Sequence, residues 1–306
     1  MFNIVEKRQW YFLFSALLII PGLVAIVYSF IMFGSPMKLG IDFTGGTLLE
    51  FRFDQAVQPA DVRQVFVDNG YSGTVVTTTA EGTTLIRTKP MQPDVKAQIE
   101  ATLRDKFGSL EELRYELVGP SVGAEVTRTA AIAVFVAAVF ILLYIIFAFR
   151  KVPNAFRYGI CAIISMVHDI LVTVGLFSIA CLVLGWEADA LFLTAVLTVI
   201  GFSVQDTIVV FDRIRENLPK RRGESYETTV NRSLLETLHR SLATQLNAIF
   251  VLIALLLFGG STMKQFVAVL LVGLMSGTYS SLFNAVPLLV VWETGKVIGR
   301  PSKATA

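Results

Sequence analysis

Asp206 lies in the run Ala190 to Phe211 (ALFLTAVLTVIGFSVQDTIVVF), where every other residue is uncharged. An ionised carboxylate in hydrocarbon costs at least about 2.5 kcal/mol, so such a residue ordinarily faces a bundle interior or water and marks a proton or ion pathway. Asp169 is a second acid of this kind, about eleven residues into the run Tyr158 to Gly185. Ser165 and Thr173 stand at i±4 on its face and are the expected hydrogen-bond partners, which leaves a structural anchor and a proton relay both open. His168 points about 100° away and reads as a packed histidine. Arg240, at the edge of the run Ser241 to Gly260, is either a positive-inside anchor that snorkels to the surface or part of a polar stripe. Thr237, Thr244 and Asn247 would form that stripe at i−3, i+4 and i+7.

Other chemistries find little support. Cys161 and Cys181 are twenty residues apart in one apolar run, about 30 Å along a helix, and cannot pair. With only two histidines besides, no metal-ligand spacing exists. Paired with Asp206, Asp169 could in principle form an intramembrane aspartyl protease, but V-Q-D stands where G-x-G-D is needed. GFSV is a poor nucleophile elbow. TGG (Thr44 to Gly46) lacks the length and the lysine of a phosphate loop. The basic run PKRRGE reads as a topology determinant near anionic membrane lipid, and nucleic-acid binding is not expected. No enzyme activity, metal or cofactor is expected.

These residues must be positioned by a membrane bundle. Of 306 residues 54% are hydrophobic and 16% charged, unlike an ordinary soluble protein. Six runs reach the roughly 20 residues that span about 30 Å: Trp10 to Phe33, Ala130 to Phe149, Tyr158 to Gly185, Ala190 to Phe211, Ser241 to Gly260 and Phe266 to Trp292. The first is too long for a leader's apolar core and reads as an anchor. Arginine and lysine crowd the links between runs two and three (Arg150, Lys151, Arg157) and between four and five (Arg213 to Arg232), so both termini and these links are expected in the cytoplasm. In the sixth run Gly273 and Gly277 form a G-x-x-x-G beside Ser276, Ser280, Ser281 and Asn284, for which internal packing outweighs a partner interface.

Between the first two runs, residues 34–129 read as an exported domain. A β-rich segment, Thr47 to Phe53, precedes a helix from Pro59 to Gly70. Two strands follow around Glu81-Gly82, then a helix from Pro93 to Phe107 and a strand ELRYELV. The order β-α-β-β-α-β is the ferredoxin-like arrangement. The expected organisation is residues 1–33 (terminus and first span), 34–129 (exported domain), 130–292 (five spans) and 293–306 (tail). The fold class is therefore an α-helical polytopic membrane protein, a six-helix half of the resistance-nodulation-division (RND) type, with an exported α+β ferredoxin-like domain between helices 1 and 2. A lone half implies a partner half.

A more specific likeness rests on ordered motifs. They are GIDFTGGT (Gly40 to Thr47), VGPSVGAEV (Val118 to Val126), His168-Asp169, IGFSVQDTIVVFDRIREN (Ile200 to Asn217), NRSLLETLHRSLAT (Asn231 to Thr244), FGG, and GTYSS (Gly277 to Ser281). The chain resembles the SecF family of bacterial protein-export membrane subunits over nearly its whole length. That resemblance implies SecD as partner half, the SecYEG channel beside it, YajC as a further associate, and a translocating polypeptide as substrate in the bacterial cytoplasmic membrane. It also implies that the proton-motive force drives late steps of export, with the family's acidic position on Asp206 and its basic position on Arg240. Asp42, Gly45, Gly46, Gly119, Pro120 and Gly123 are the family motif residues of the exported segment. Gln205 and Phe202 depart from the asparagine and tyrosine expected there, which puts neighbouring hydrogen bonds in doubt rather than the acid. The alternative to protein export is half of a small-molecule RND exporter, which would carry a much larger external loop. H⁺ and Na⁺ remain equally open as the coupling ion.

Overall fold

A computed structural model describes residues 3–79, 82–150, 154–221 and 223–297; Glu81, Lys151, Arg222 and the tail from residue 298 lie outside the described residues. Elements follow in the order α1 (Arg8–Phe33), α2 (Ile41–Thr44), β1 (Gly46–Phe53), α3 (Pro59–Asp68), β2 (Val75–Thr78), β3 (Thr84–Thr88), α4 (Pro93–Phe107) and β4 (Leu110–Val118). Then come α5 (Pro120–Ala148), α6 (Ala155–Leu184), α7 (Ala190–Lys220), α8 (Tyr226–Phe258), α9 (Ser261–Ser280), a π-helical turn (Ser281–Ala285) and α10 (Val286–Thr294). Two units form, one of residues 39–131 and one of residues 1–38 with 132–306.

The smaller unit is an antiparallel sheet of order β2-β3-β1-β4, the ferredoxin-like order. Proline opens α3 and α4, where its missing N–H costs nothing. Their apolar faces put Val62, Val65, Phe66, Ile99 and Leu103 against Leu49, Phe51 and Ile86 of the sheet. The register between β1 and β4 shifts at Glu50/Phe51. Two motifs far apart in sequence meet here. A Cβ on Gly45 would stand 2.8 Å from Pro120 Cα, and one on Gly123 would stand 2.8 Å from Gly45 N and Phe43 O. Gly45 and Gly46 also have φ of 71° and 140°, which side chains resist.

The larger unit is the helix bundle. Among the described residues six helices are long and apolar enough to cross a membrane, and the chain is a multi-pass membrane protein. Helices overrun their apolar runs: α5 begins at Pro120 rather than Ala130, α8 begins at Tyr226 rather than Ser241, and α7 continues past Phe211 to Lys220. The sixth run is not one regular helix either, because the π-helical turn divides it. α1 packs on α6, and α7 packs on α6, α8 and α9. Glycine brings these axes close: Cβ atoms on Gly22 and Gly175 would reach 2.8 and 2.6 Å from each other's helix backbone. Gly273 lies against Val199 and Gly277 against Ser203, so the G-x-x-x-G packs inside the bundle as expected.

Polar ties close both ends of this unit. At one end Arg8, wholly buried, donates to Val5 O, Lys296 O, Val297 O and Glu227 Oε1. Asn231 Oδ1 accepts from Ile4 N and Val5 N, and Arg157 pairs with Glu293. The same end holds the α5–α6 and α7–α8 links, since Arg215 donates to Ala148 O. At the other end Lys38 pairs with Glu187 at 2.7 Å, and Ala188 N donates to Lys38 O. Both terminal segments and both basic links therefore share one end of the bundle. Cys161 and Cys181 are buried and free.

Candidate functional site

Asp169 has no exposed surface. Three serine hydroxyls donate to it: Ser203 of α7 at 2.5 Å and Ser280 at 2.6 Å to Oδ2, and Ser276 at 2.7 Å to Oδ1. His168 Nδ1 lies 3.0 Å from Oδ1. Hydrogen bonds to a charged group contribute about 1.5–3 kcal/mol each, which offsets much of what burying a carboxylate costs. The partners expected from i±4 spacing are corrected by this arrangement. Ser165 Oγ and Thr173 Oγ1 are buried without partners, and the acid is satisfied from α7 and α9 instead. His168 also does not turn away, because a one-residue step still lets a long ring reach back to the neighbouring carboxyl. The π-helical turn directly follows Ser280, and its Ser281 hydroxyl donates to Gly277 O and Ser203 O. Such turns widen a helix by one residue and are frequent at functional sites.

Asp206 lies one turn beyond Ser203 on the same helix and is also buried. Gln245 Nε2 of α8 donates to its Oδ2 at 2.7 Å. The buried residues of α8 include Thr229, Ser233, Thr237, Ser241 and Gln245, an i+4 series, beside Val230, Asn231 and Leu234 near its start. This corrects the expected stripe: Thr237 is buried, whereas Arg240, Thr244 and Asn247 are exposed. Ser241, buried between Thr237 and Gln245, is a second side chain of this face turned to Asp206, through its hydroxyl.

Arg240 is not brought onto Asp206, and no ion pair joins them among the described residues. It lines a cavity of about 580 Å³ together with Tyr144, Asp212, Arg213, Arg215 and Thr237. Thr237 thus borders both this cavity and the polar face that ends at Asp206. Gln205, on the same helix, is exposed. Among the described residues no cluster of histidine, cysteine and carboxylate side chains could hold a metal ion. Gln245 escaped sequence reasoning, although its place eight residues after Thr237 on an i+4 face was the available signal.

Residues 98–295 match the family described as "Protein export membrane protein SecD/SecF, C-terminal", and residues 30–57 match the "SecD/SecF GG Motif". The chain belongs to the SecD/SecF family. Two relatives named protein translocase subunit SecF are similar over almost their full length. That of Thermobaculum terrenum is 50% identical over 96% of this chain and 94% of the relative, and that of Anaerolinea thermophila is 47% identical over 97% and 96%. The crystal structure of SecDF from Thermus thermophilus superposes with a TM-score of 0.82 at 31% identity, covering 96% of this chain and 39% of that one. This SecD/SecF-family chain thus spans well under half of that longer protein. Residues 30–57, the GG-motif match, include Asp42, Gly45 and Gly46, and Gly45 packs against Gly119, Pro120 and Gly123 of the second match.

Proposed function

We propose that the chain is a non-enzymatic accessory subunit of the bacterial Sec protein translocase, which pairs with SecD and uses the proton-motive force to promote late steps of export through SecYEG. It resides in the cytoplasmic membrane, with the Arg8 end in the cytoplasm and residues 39–131 outside. YajC is a further associate, and the exported polypeptide is the substrate. Relatives named SecDF, in which the matching segment belongs to one longer chain, support the pairing.

The observation that carries the energy-coupling reading is Asp206, buried and held by Gln245 at the end of the Thr237–Ser241–Gln245 face that leads from the Arg240-lined cavity. A carboxylate there exchanges a proton when its surroundings alternate between wet and dry, because desolvation favours the neutral acid and water or a guanidinium favours the anion. Arg240 supplies that guanidinium in the coupled state. Asp169 is the lesser member of the same pathway. One charge crossing the membrane delivers about 2.3 kcal/mol per 100 mV, which biases two conformations by about fiftyfold.

Asp206→Asn keeps the size and the Gln245 contact but cannot cycle a proton. In vesicles reconstituted with SecD and SecYEG it leaves assembly intact and abolishes the stimulation of export by voltage and pH gradient. Wild-type stimulation by that variant would sink the reading. Arg240→Met impairs the same step without disrupting the resting bundle, since the exposed arginine holds no ion pair there.

A further inference from the structure

Two side chains of α8 face the carboxyl of Asp206, and both are ambivalent in hydrogen bonding. Gln245 Nε2 donates to Oδ2 at 2.7 Å, and the Ser241 hydroxyl is turned to the same acid. An amide carries donors on nitrogen and acceptor lone pairs on oxygen, and a hydroxyl both gives and takes. Gln245 is buried, yet among the described residues nothing donates to its Oε1. Its nitrogen is therefore spent on the acid while its oxygen is unspent. Asn217 of α7 differs, because its Nδ2 donates to both Ser233 and Glu236 and turning that amide would break two bonds. Among the described residues no charged side chain bonds to Asp206 from the helices packed on α7. Asp169 of α6 is held by Ser203, one turn earlier on α7, while Arg240 and His239 of α8 are exposed. On α9 and α10, Tyr279 donates to Tyr11 O and Glu293 pairs with Arg157. Gln245 and Ser241 are thus the groups that must answer a change of charge on this acid.

A proton on Oδ2 would face an amide N–H across 2.7 Å, and two donors cannot share one hydrogen bond. We propose that Gln245 is a positioning residue for the proton step, whose side-chain amide turns over with each protonation of Asp206. With the carboxylate, Nε2–H donates to Oδ2. When Oδ2 takes a proton from a hydronium ion, an O–H bond forms, water leaves, and the amide rotates so that Oε1 accepts that O–H. Loss of the proton to water reverses the turn, and no bond within Gln245 breaks at any stage. The last torsion of a glutamine side chain is broad and roughly two-fold, so the turn needs no displacement of α8. Ser241 follows by rotating its hydroxyl. Each protonation state then keeps a partner in a buried site where an unmet donor or acceptor is costly, and the acid is trapped in neither. The proposal deepens the proton-driven reading given above and rests on it.

The test uses the complex with its partner half, isotope-labelled in its glutamine side chains. Infrared difference spectra between acid and alkaline buffer contain the Asp206 acid band, identified by its loss in Asp206→Asn, and the Gln245 amide carbonyl band, identified by its loss in Gln245→Met. The amide band is expected to move to lower frequency in step with the acid band and to stay still in Asp206→Asn. An amide band that is unmoved while Asp206 titrates, as when the proton sits on Oδ1, overturns the proposal, and so does one that moves in Asp206→Asn. A shift driven by sodium at fixed pH, without the acid band, also overturns it, since the amide would then be answering a metal ion. Gln245→Met gives a second readout. A hydrogen bond to the charged acid is stronger than one to the neutral acid, so losing both raises the Asp206 midpoint by about one pH unit. A fixed donor opposes the proton outright, and its loss would raise the midpoint by more than about two units. Such a rise, or none, overturns the turning amide. Failure of Asp206→Asn to abolish coupling would break the broader reading and leave both readouts standing.

Discussion

Gly273→Ala tests the contact that holds α9, and with it Ser276 and Ser280, against α7. The added Cβ would lie 2.7 Å from Val199 Cγ1 and closer still to Cγ2. Carbon atoms prefer about 3.5–4.0 Å, so roughly 1.5 Å or more must be found at the closer methyl. Val199 is buried and β-branched, with little rotamer freedom in a helix, so the helices rather than the side chain must move. Overpacking of this kind costs about 1–3 kcal/mol, and the upper half of that range is expected here. Val199→Ala removes both colliding methyls, so Gly273→Ala in that background should cost under about 0.5 kcal/mol, a strong coupling for residues in contact. The buried thiols of Cys161 and Cys181 provide the assay, since a thiol-reactive dye reports the unfolding midpoint in detergent. Equal midpoints for Gly273→Ala and the parent, or an undiminished loss in the Val199→Ala background, would refute the reasoning.

Three further outcomes follow from the geometry. Arg8→Met strips a buried guanidinium from Glu227 and the carbonyls of Val5, Lys296 and Val297, and should destabilise the bundle by about 3 kcal/mol in the same assay, with Arg8→Lys intermediate because the fork is lost. On the smaller unit, burial opposes ionisation of Glu112, but hydrogen bonds with Lys96 and Glu100 and the charges of Lys96 and Arg104 together outweigh it and hold the carboxyl below its ordinary value, whereas burial and Glu112 raise Glu100. The Glu112 contribution is thus present at neutral pH and fades as pH falls through its depressed value, while that of Glu100 runs oppositely. Glu112→Gln should cost about 0.5 kcal/mol at neutral pH and Glu100→Gln should gain a similar amount, read as shifts in the unfolding midpoint. Ser72→Cys should react with an impermeant thiol reagent from outside intact cells and Ser225→Cys should not; the reverse pattern would overturn the orientation.

Local signals made much of the architecture legible. Proline at Pro59 and Pro93 fixed the starts of α3 and α4, and six apolar runs fixed the number of spans. Asp206 and Asp169 stood out because an uncharged run makes any acid conspicuous. Their partners were harder to read. Ser203, Ser276 and Ser280 converge on Asp169 from 34, 107 and 111 residues away, and a helical period says which residues share a face but not which face meets which helix. On α8 the same ambiguity misled: i+3 and i+4 steps from Thr237 lead to Arg240 or to Ser241, and only packing against Asp206 selects the second. The start of α8 was missed because its first four turns are polar, and the π-helical turn has no local composition that distinguishes it from ordinary helix.

The buried arginine at the head of α1 also sets an order in time. Arg8 leaves the ribosome 288 residues before Lys296, whose carbonyl is one of its acceptors. At about 5–20 residues per second the guanidinium waits roughly 15–60 s for it. Throughout that interval the first helix is inserted yet its head carries unmet donors, a state that water or lipid phosphate must tolerate. Docking of Lys296 and Val297 ends the wait, so the head of α1 acquires its last partners only after the sixth span has been made.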